Sequence, residues 1–297
     1  MVTEGYECVY NRGIKYIDDE TLVDTNDKTN PTWSNITIMY PNDTEVWSLF
    51  LRNDGNPLLH AFKNEFGWHF ETEYDKNMFT EKIDNILKNF LSIYLLDVTI
   101  VVPSTNSLNI FIADRIKKLR PKSTIITDFL RKMTASEVRD SIHSYDSEFK
   151  KEFKSKRALN AAYITVDEAI EEMNKLYGGM FVYHLVKNKD ARNAIKNVLT
   201  YNENANKVDI NKIKSHDVLV IDDSISRGHT IINACNLIKE FGPKKMTVLT
   251  LFSSSKNKGE HRSWLEHPKR KINESEIVFG TKYKTIGYAD NEGKLMK

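Results

Sequence analysis

Two adjacent carboxylates, Asp222 and Asp223, close the apolar run Val218-Leu219-Val220-Ile221, and the chain continues Ser224, Ile225, Ser226, Arg227, Gly228, His229, Thr230. Each carboxylate oxygen accepts hydrogen bonds, so two acids side by side can hold the vicinal hydroxyls of a sugar. The small and polar residues after them suit an anion. The backbone N–H groups of such a loop turn inward as a nest, and the helix that follows adds positive potential at its N-terminus, which together accommodate a terminal phosphate. Gly228 allows close backbone approach, while Ser224, Ser226, Arg227, His229 and Thr230 supply donors. The segment predicts a buried strand, a phosphosugar-binding loop and a helix from about Thr230. A nucleotide P-loop fits worse, because the sequence has no Gly-x-x-x-x-Gly-Lys-Ser/Thr.

The elements that must position this loop are legible as an alternation. Phe79, Ile83, Ile86, Leu87 and Phe90 recur at helical spacing, with Lys82, Asp84 and Lys88 on the opposite face. Val98 to Val102 reads as a central parallel strand. It runs into Pro103-Ser104-Thr105-Asn106-Ser107 and a second helix through Ile116 and Leu119, which makes Ser104, Thr105, Asn106 and Ser107 a second candidate anion loop or an ordinary helix cap. Ser123 to Thr127 is the next strand, with the basic pair Arg131 and Lys132 beyond its end. After the central loop, Ile231, Cys235, Ile238 and Phe241 define a buried helical face that stops at Gly242-Pro243, and Met246 to Phe252 is a further strand. The fold class expected is α/β, a parallel sheet flanked by helices with both loops at its C-terminal edge, and a small β-rich N-terminal appendage.

The expected division is 1–75 for the β-rich appendage or hood, 76–255 for the α/β core and 256–297 for a C-terminal extension. In the first part, Ile36 to Tyr40 and Val46 to Leu51 read as strands. Trp33, Trp47 and Trp68 there either fill a core or stack on a nucleobase. A charged helical insertion is expected over about 133–180. Lys150, Lys151, Lys154, Lys156 and Arg157 form a solvated basic face, Thr165 to Glu168 has capping-box spacing, and Gly178-Gly179 ends that helix. Arg192 and Lys196 concentrate positive charge just before the central strand. In the extension, Ile277 to Phe279 and Tyr283 to Tyr288 pair as strands or lie across the core.

The totals exclude several classes. A chain of 297 residues with 40% hydrophobic and 28% charged residues has the composition of an ordinary globular protein. Its net charge of +2 supplies no field that argues for nucleic acid. Two cysteines, Cys8 and Cys235, make no disulfide framework, so a reducing cytoplasm is the expected compartment. The opening MVTEGYECVYNRG lacks the apolar centre of a signal peptide, and the longest apolar stretch, Leu91 to Val102, is too short to span a membrane.

The run VLVIDDSISRGHT resembles the phosphoribosyl pyrophosphate (PRPP) signature of type I phosphoribosyltransferases, most closely in the form found in glutamine PRPP amidotransferases. That resemblance implies PRPP as substrate, with its 5′-phosphate on Ser224 to Thr230 and its ribose on Asp222 and Asp223. It puts the diphosphate near Ser104 to Ser107, with Arg131, Lys132, Arg192 and Lys196 as further diphosphate contacts. It also implies Mg²⁺ carried on the PRPP oxygens near Asp222 and Asp223, a small-molecule acceptor, a loop that closes over the substrate, and a homodimer. Ser226 stands where purine-salvage relatives often hold an acid, which argues against hypoxanthine or guanine as acceptor. Met1-Val2 stands where the amidotransferases expose a nucleophilic cysteine. A PRPP- or nucleotide-sensing regulator and a PRPP-synthetase-like diphosphotransferase are the alternatives.

Overall fold

The computed structural model describes residues 5–9, 12–17, 23–26, 29–34, 44–52, 57–64, 66–94, 96–104, 107–144, 147–225, 228–254 and 261–267. In chain order, β1 (Gly5–Val9) and β2 (Gly13–Ile17) pair antiparallel, followed by β3 (Val23–Asp24), β4 (Thr32–Ser34) and β5 (Glu45–Arg52). A short helix α1 (Pro57–Lys63) and strand β6 (His69–Phe70) lead into α2 (Glu73–Ile93). Then come β7 (Val98–Val101), α3 (Leu108–Leu119), β8 (Thr124–Ile126) and β9 (Leu130–Lys132). Helices α4 (Ala135–His143), α5 (Glu148–Lys151), α6 (Lys156–Leu176) and α7 (Lys189–Ala194) precede β10 (Leu199–Tyr201) and α8 (Lys207–Asn211). The last elements are β11 (Asp217–Ile225), α9 (His229–Lys239), β12 (Lys245–Ser254) and β13 (His261–Ser263).

The main sheet runs β13-β4-β5-β12-β11-β7-β8, with β3 also paired to β5. The five strands from β5 to β8 in that order are parallel to their neighbours, and β3, β4 and β13 are antiparallel additions at one side. This is the expected α/β architecture, and β11 sits in its middle. Val218, Leu219, Val220 and Ile221 are fully buried, as a parallel strand covered on both faces requires. Successive side chains on a strand point to opposite faces, and here each face has its own core. Val218 and Val220 pack with Val166 and Ile170 of α6 and Ile231, Cys235 and Ile238 of α9. Leu219 and Ile221 pack with Phe79, Ile83 and Phe90 of α2 and Ile112 and Ile116 of α3.

The N-terminal region does contain strands, but β5 pairs along its length with β12 in parallel, Val46 opposite Val248 and Phe50 opposite Phe252. The sheet therefore extends into the segment expected as an appendage, with Val46 in one core and Trp47, Leu49 and Phe50 in the other against α2. Trp33 and Trp47 are core residues, 5% and 0% exposed, with His267 packed against both rings. Trp68 is half-buried beside the same core. The expected strands at Ile36 to Tyr40, Ile277 to Phe279 and Tyr283 to Tyr288 lie outside the described residues.

Helices α4, α5 and α6 occupy the predicted insertion, but α6 begins earlier than the capping-box spacing suggested. Its N-cap is Ser155, which accepts from the Ala158 N–H. Thr165 lies mid-helix and donates to the Ala161 carbonyl at 2.9 Å. The apolar stripe explains this, since buried Ala162 continues Val166, Ala169, Ile170 and Met173 back past Thr165. The helix does end at Gly178 and Gly179, whose φ of 58° and 79° are left-handed values that favour glycine.

Candidate functional site

The order of the sheet creates the crevice. The chain leaves β7 toward β8 on one side and leaves β11 toward β12 on the other, so the loops after β7 and β11 part at the C-terminal edge. Pairing of β11 to β7 stops at Ile221, and Val102 N–H donates to the Ile221 carbonyl at 2.9 Å. Asp222 and Asp223 therefore stand where the strands diverge.

Strand alternation sends the two acids to different surroundings. Asp222 borders a cavity of about 360 Å³ that it shares with Ser224, Gly228, His229 and Thr230 on one wall and Tyr183, Arg192 and Asn193 on another. Its Oδ1 accepts from Asn109 Nδ2 at 3.2 Å and from the Asp223 N–H at 2.9 Å. Burial, and then the neighbouring Asp223, push its carboxyl up to about 7, against the opposing pull of Asn109, the Asp223 N–H and Lys132. Asp223 makes other contacts. Its Oδ2 lies 2.6 Å from Lys63 Nζ and 3.5 Å from Ser104 Oγ, and its Oδ1 accepts from Ser224 Oγ at 2.8 Å.

Two helices, α3 and α9, begin at this crevice. Among the described helices of nine residues or more, α2, α4 and α6 are capped by the side chains of Thr72, Thr134 and Ser155. Neither Ser107 at the start of α3 nor Gly228 at the start of α9 makes a side-chain cap bond. Ser107 thus does not act as the ordinary cap the sequence allowed. Gly228 has φ 78° and ψ 2°, a left-handed conformation that turns the chain from strand to helix. Ser226, Arg227, Thr105 and Asn106 lie outside the described residues.

Of the four basic residues singled out from sequence, two reach the crevice. Arg192 lines the cavity beside the α9 start. Lys132 is placed near both acids; burial lowers its ammonium, while Asp222 and Asp223 pull it back up. Arg131, its neighbour on β9, points the other way and is gripped by Glu137 through two bonds of 2.6 and 2.8 Å. That guanidinium, together with the Thr134 N–H, holds the Glu137 carboxyl down to about 2. Lys196 forms an ion pair with Glu152 at 2.5 Å and lies at a separate depression beside α4 and α5. Both residues are thus paired with carboxylates of the helical insertion, Glu137 and Glu152.

Several site residues escaped the sequence. Asn109 is buried between Val102 and Asp222, and it occupies an apolar position in the spacing Asn109, Ile112, Ala113, Ile116, a signal that was readable. Its Oδ1 has no hydrogen-bond partner among the described residues. Asn233 of α9 accepts the Val198 and Leu199 N–H groups at 2.9 and 2.7 Å, which ties α9 to the β9–β10 ribbon. Tyr183 donates to the Ile195 carbonyl at 2.7 Å and lines the cavity. Lys63 has no local signal, because it lies far upstream on α1.

Residues 166–285 match the family model of the phosphoribosyl transferase domain. Over those residues the chain is similar to that domain. The match starts within α6 and takes in α7, β11, α9 and β12, whereas β5, α1, β7 and α3 lie before it. No curated protein and no solved structure matches the chain significantly. No helix among the described residues is long and apolar enough to cross a membrane.

Proposed function

We propose that this protein transfers the 5-phosphoribosyl group of PRPP to a nitrogen nucleophile and releases pyrophosphate. The observation that carries the reading is the pair Asp222–Asp223 at the divergence of β7 and β11, beside the starts of α3 and α9. The 5′-phosphate would sit on the loop Ser224 to Thr230 at the α9 N-terminus, where Gly228 lets the backbone come close. The ribose hydroxyls would donate to the two carboxylates. The diphosphate would lie toward Ser104 to Ser107 and the α3 start, within reach of Lys132.

Positioning and charge stabilisation are the chemistry these residues can supply. The acceptor nitrogen forms its bond to ribose carbon 1 as the carbon–oxygen bond to the diphosphate breaks. The electron pair leaves on the diphosphate, and the acceptor nitrogen sheds its proton to the solvent. Among the described residues no cluster of three His, Cys, Asp or Glu side chains forms a metal cage, and both acids already hold protein donors. The donor set fits Mg²⁺ bound mainly through phosphate oxygens and water, with Asp222 and Asp223 as the nearest carboxylates. The ion would offset phosphate charge. Assembly as a homodimer and a small-molecule acceptor belong to the same reading.

Calorimetric titration of PRPP with and without Mg²⁺, followed by a pyrophosphate-release assay over a panel of nitrogenous acceptors, tests it. Mg²⁺-dependent binding and release with at least one acceptor are expected. Absence of PRPP binding would sink the proposal, and binding without release across the panel would identify a PRPP-sensing regulator instead.

A further inference from the structure

Lys63 lies outside the matched segment, yet its ammonium stands 2.6 Å from Asp223 Oδ2, with the two side chains only 11% and 13% exposed. The same Oδ2 is 3.5 Å from Ser104 Oγ, so the lysine reaches the start of the loop between β7 and α3. Its place is built by packing. Leu58, Leu59 and Ala61 of α1 are buried, and Phe62 meets the rings of Phe79 and Phe111 edge-on at 5.6 and 5.2 Å. A buried ion pair is weak evidence for a stabilising role, since desolvation of two charges offsets much of their attraction. An ammonium also carries three donors, and Asp223 uses one.

We propose that Lys63 is a diphosphate-binding residue of the site, supplied by the β5–α1 unit from outside the phosphoribosyl transferase match. It keeps its bond to Asp223 and turns its remaining N–H donors on the diphosphate of PRPP, between the ribose and the loop after β7. A compact ammonium suits this task as a point charge on phosphate oxygens. When the carbon–oxygen bond breaks, the electron pair goes to the diphosphate and the ammonium offsets the added charge; no proton moves to or from the lysine. This rests on the transferase reading.

The test is calorimetry on the full chain with three probes, PRPP, inorganic pyrophosphate and ribose 5-phosphate, each with Mg²⁺, for wild type, Lys63→Gln and Lys63→Arg. The expected result for Lys63→Gln is a loss of about tenfold to a hundredfold in pyrophosphate and PRPP affinity. Ribose 5-phosphate should stay within about twofold of wild type, which also shows that the variant is folded. Lys63→Arg, which retains the charge, should recover most of the loss. Wild-type pyrophosphate affinity in Lys63→Gln overturns the role of the lysine and leaves the transferase reading standing. Equal loss of both smaller probes overturns it too, because Lys63 would then act only through the shape of the site. A wild type without PRPP affinity removes the transferase reading itself, and this inference with it.

Discussion

Asp222 and Asp223 are consecutive on β11, but the two sides of the sheet edge treat them differently. On the side of α9, Asp222 borders the cavity with Arg192 and the Gly228 turn, and burial holds its carboxyl near 7. On the side of α1, Asp223 carries an ammonium at 2.6 Å and the hydroxyls of Ser104 and Ser224. One side is built from the segment that matches the phosphoribosyl transferase domain, and the other largely from the chain before it. The difference teaches that a motif of two identical residues can serve two tasks when a strand sorts them to opposite faces. In the reading proposed here, the α9 side takes the 5′-phosphate and the α1 side takes the diphosphate.

The largest effect is expected from removing both carboxylates. Asp222→Asn combined with Asp223→Asn should lower PRPP affinity by about a hundredfold or more with the fold intact, as calorimetry and circular dichroism would show; retained affinity would break the comparison at its root. Gly228→Val strikes the α9 side alone. The left-handed φ costs a β-branched residue about 1–2 kcal/mol, and the side chain crowds the phosphate loop. Ribose 5-phosphate affinity should fall about tenfold or more while pyrophosphate affinity holds, the mirror image of Lys63→Gln. If both probes weaken together, the two sides are not separate subsites.

Asn233→Ala should destabilise the protein by about 2–3 kcal/mol, because two buried N–H groups lose their acceptor, and urea unfolding would measure it. A smaller effect follows from the pH dependence of Asp222. Its folded value of about 7 lies above the ordinary 3.8, so the unfolded chain binds fewer protons between those values. The contribution is fully present below about pH 3.8 and is lost as pH rises through 7. Thermal melts of Asp222→Asn against wild type should therefore show the variant gaining relative stability toward pH 8, by on the order of 1–2 kcal/mol. A difference that stays flat with pH would mean Asp222 is not held near neutrality. The smallest changes belong to Arg131→Ala and Lys196→Ala. Each loses a partly exposed ion pair worth about 1 kcal/mol or less, and PRPP affinity should stay within about twofold. A larger loss of affinity would return these residues to the site.

Much of the architecture was legible from short-range pattern. The helix at Phe79 to Phe90 and the strand at Val98 declare themselves by spacing, and the run from Val218 to Thr230 shows a strand, a turn that needs glycine, and a helix in order. The extent of the sheet was less legible. The apolar run at 46–51 announces a strand, but nothing local says that its partner is β12. The Thr165 to Glu168 spacing was misleading, because a capping box is only a cap where the apolar stripe also stops. Basic residues were the least legible: Arg131 and Lys132 are adjacent, yet one is consumed by Glu137 and the other approaches the acids.

The sequence by itself determined that a buried strand ending in paired acids runs through a glycine turn into a helix, because backbone turn chemistry and side-chain periodicity act over a few residues. Which cation faces which acid was decided only in three dimensions. Lys63 meets Asp223 because β5 packs beside β12 and α1 folds back over the sheet edge. Arg192 meets the α9 start because Asn233 ties that helix to the ribbon beyond α7. Long-range pairing of this kind depends on which buried surfaces fit together, and no window along the chain contains both halves of that contact.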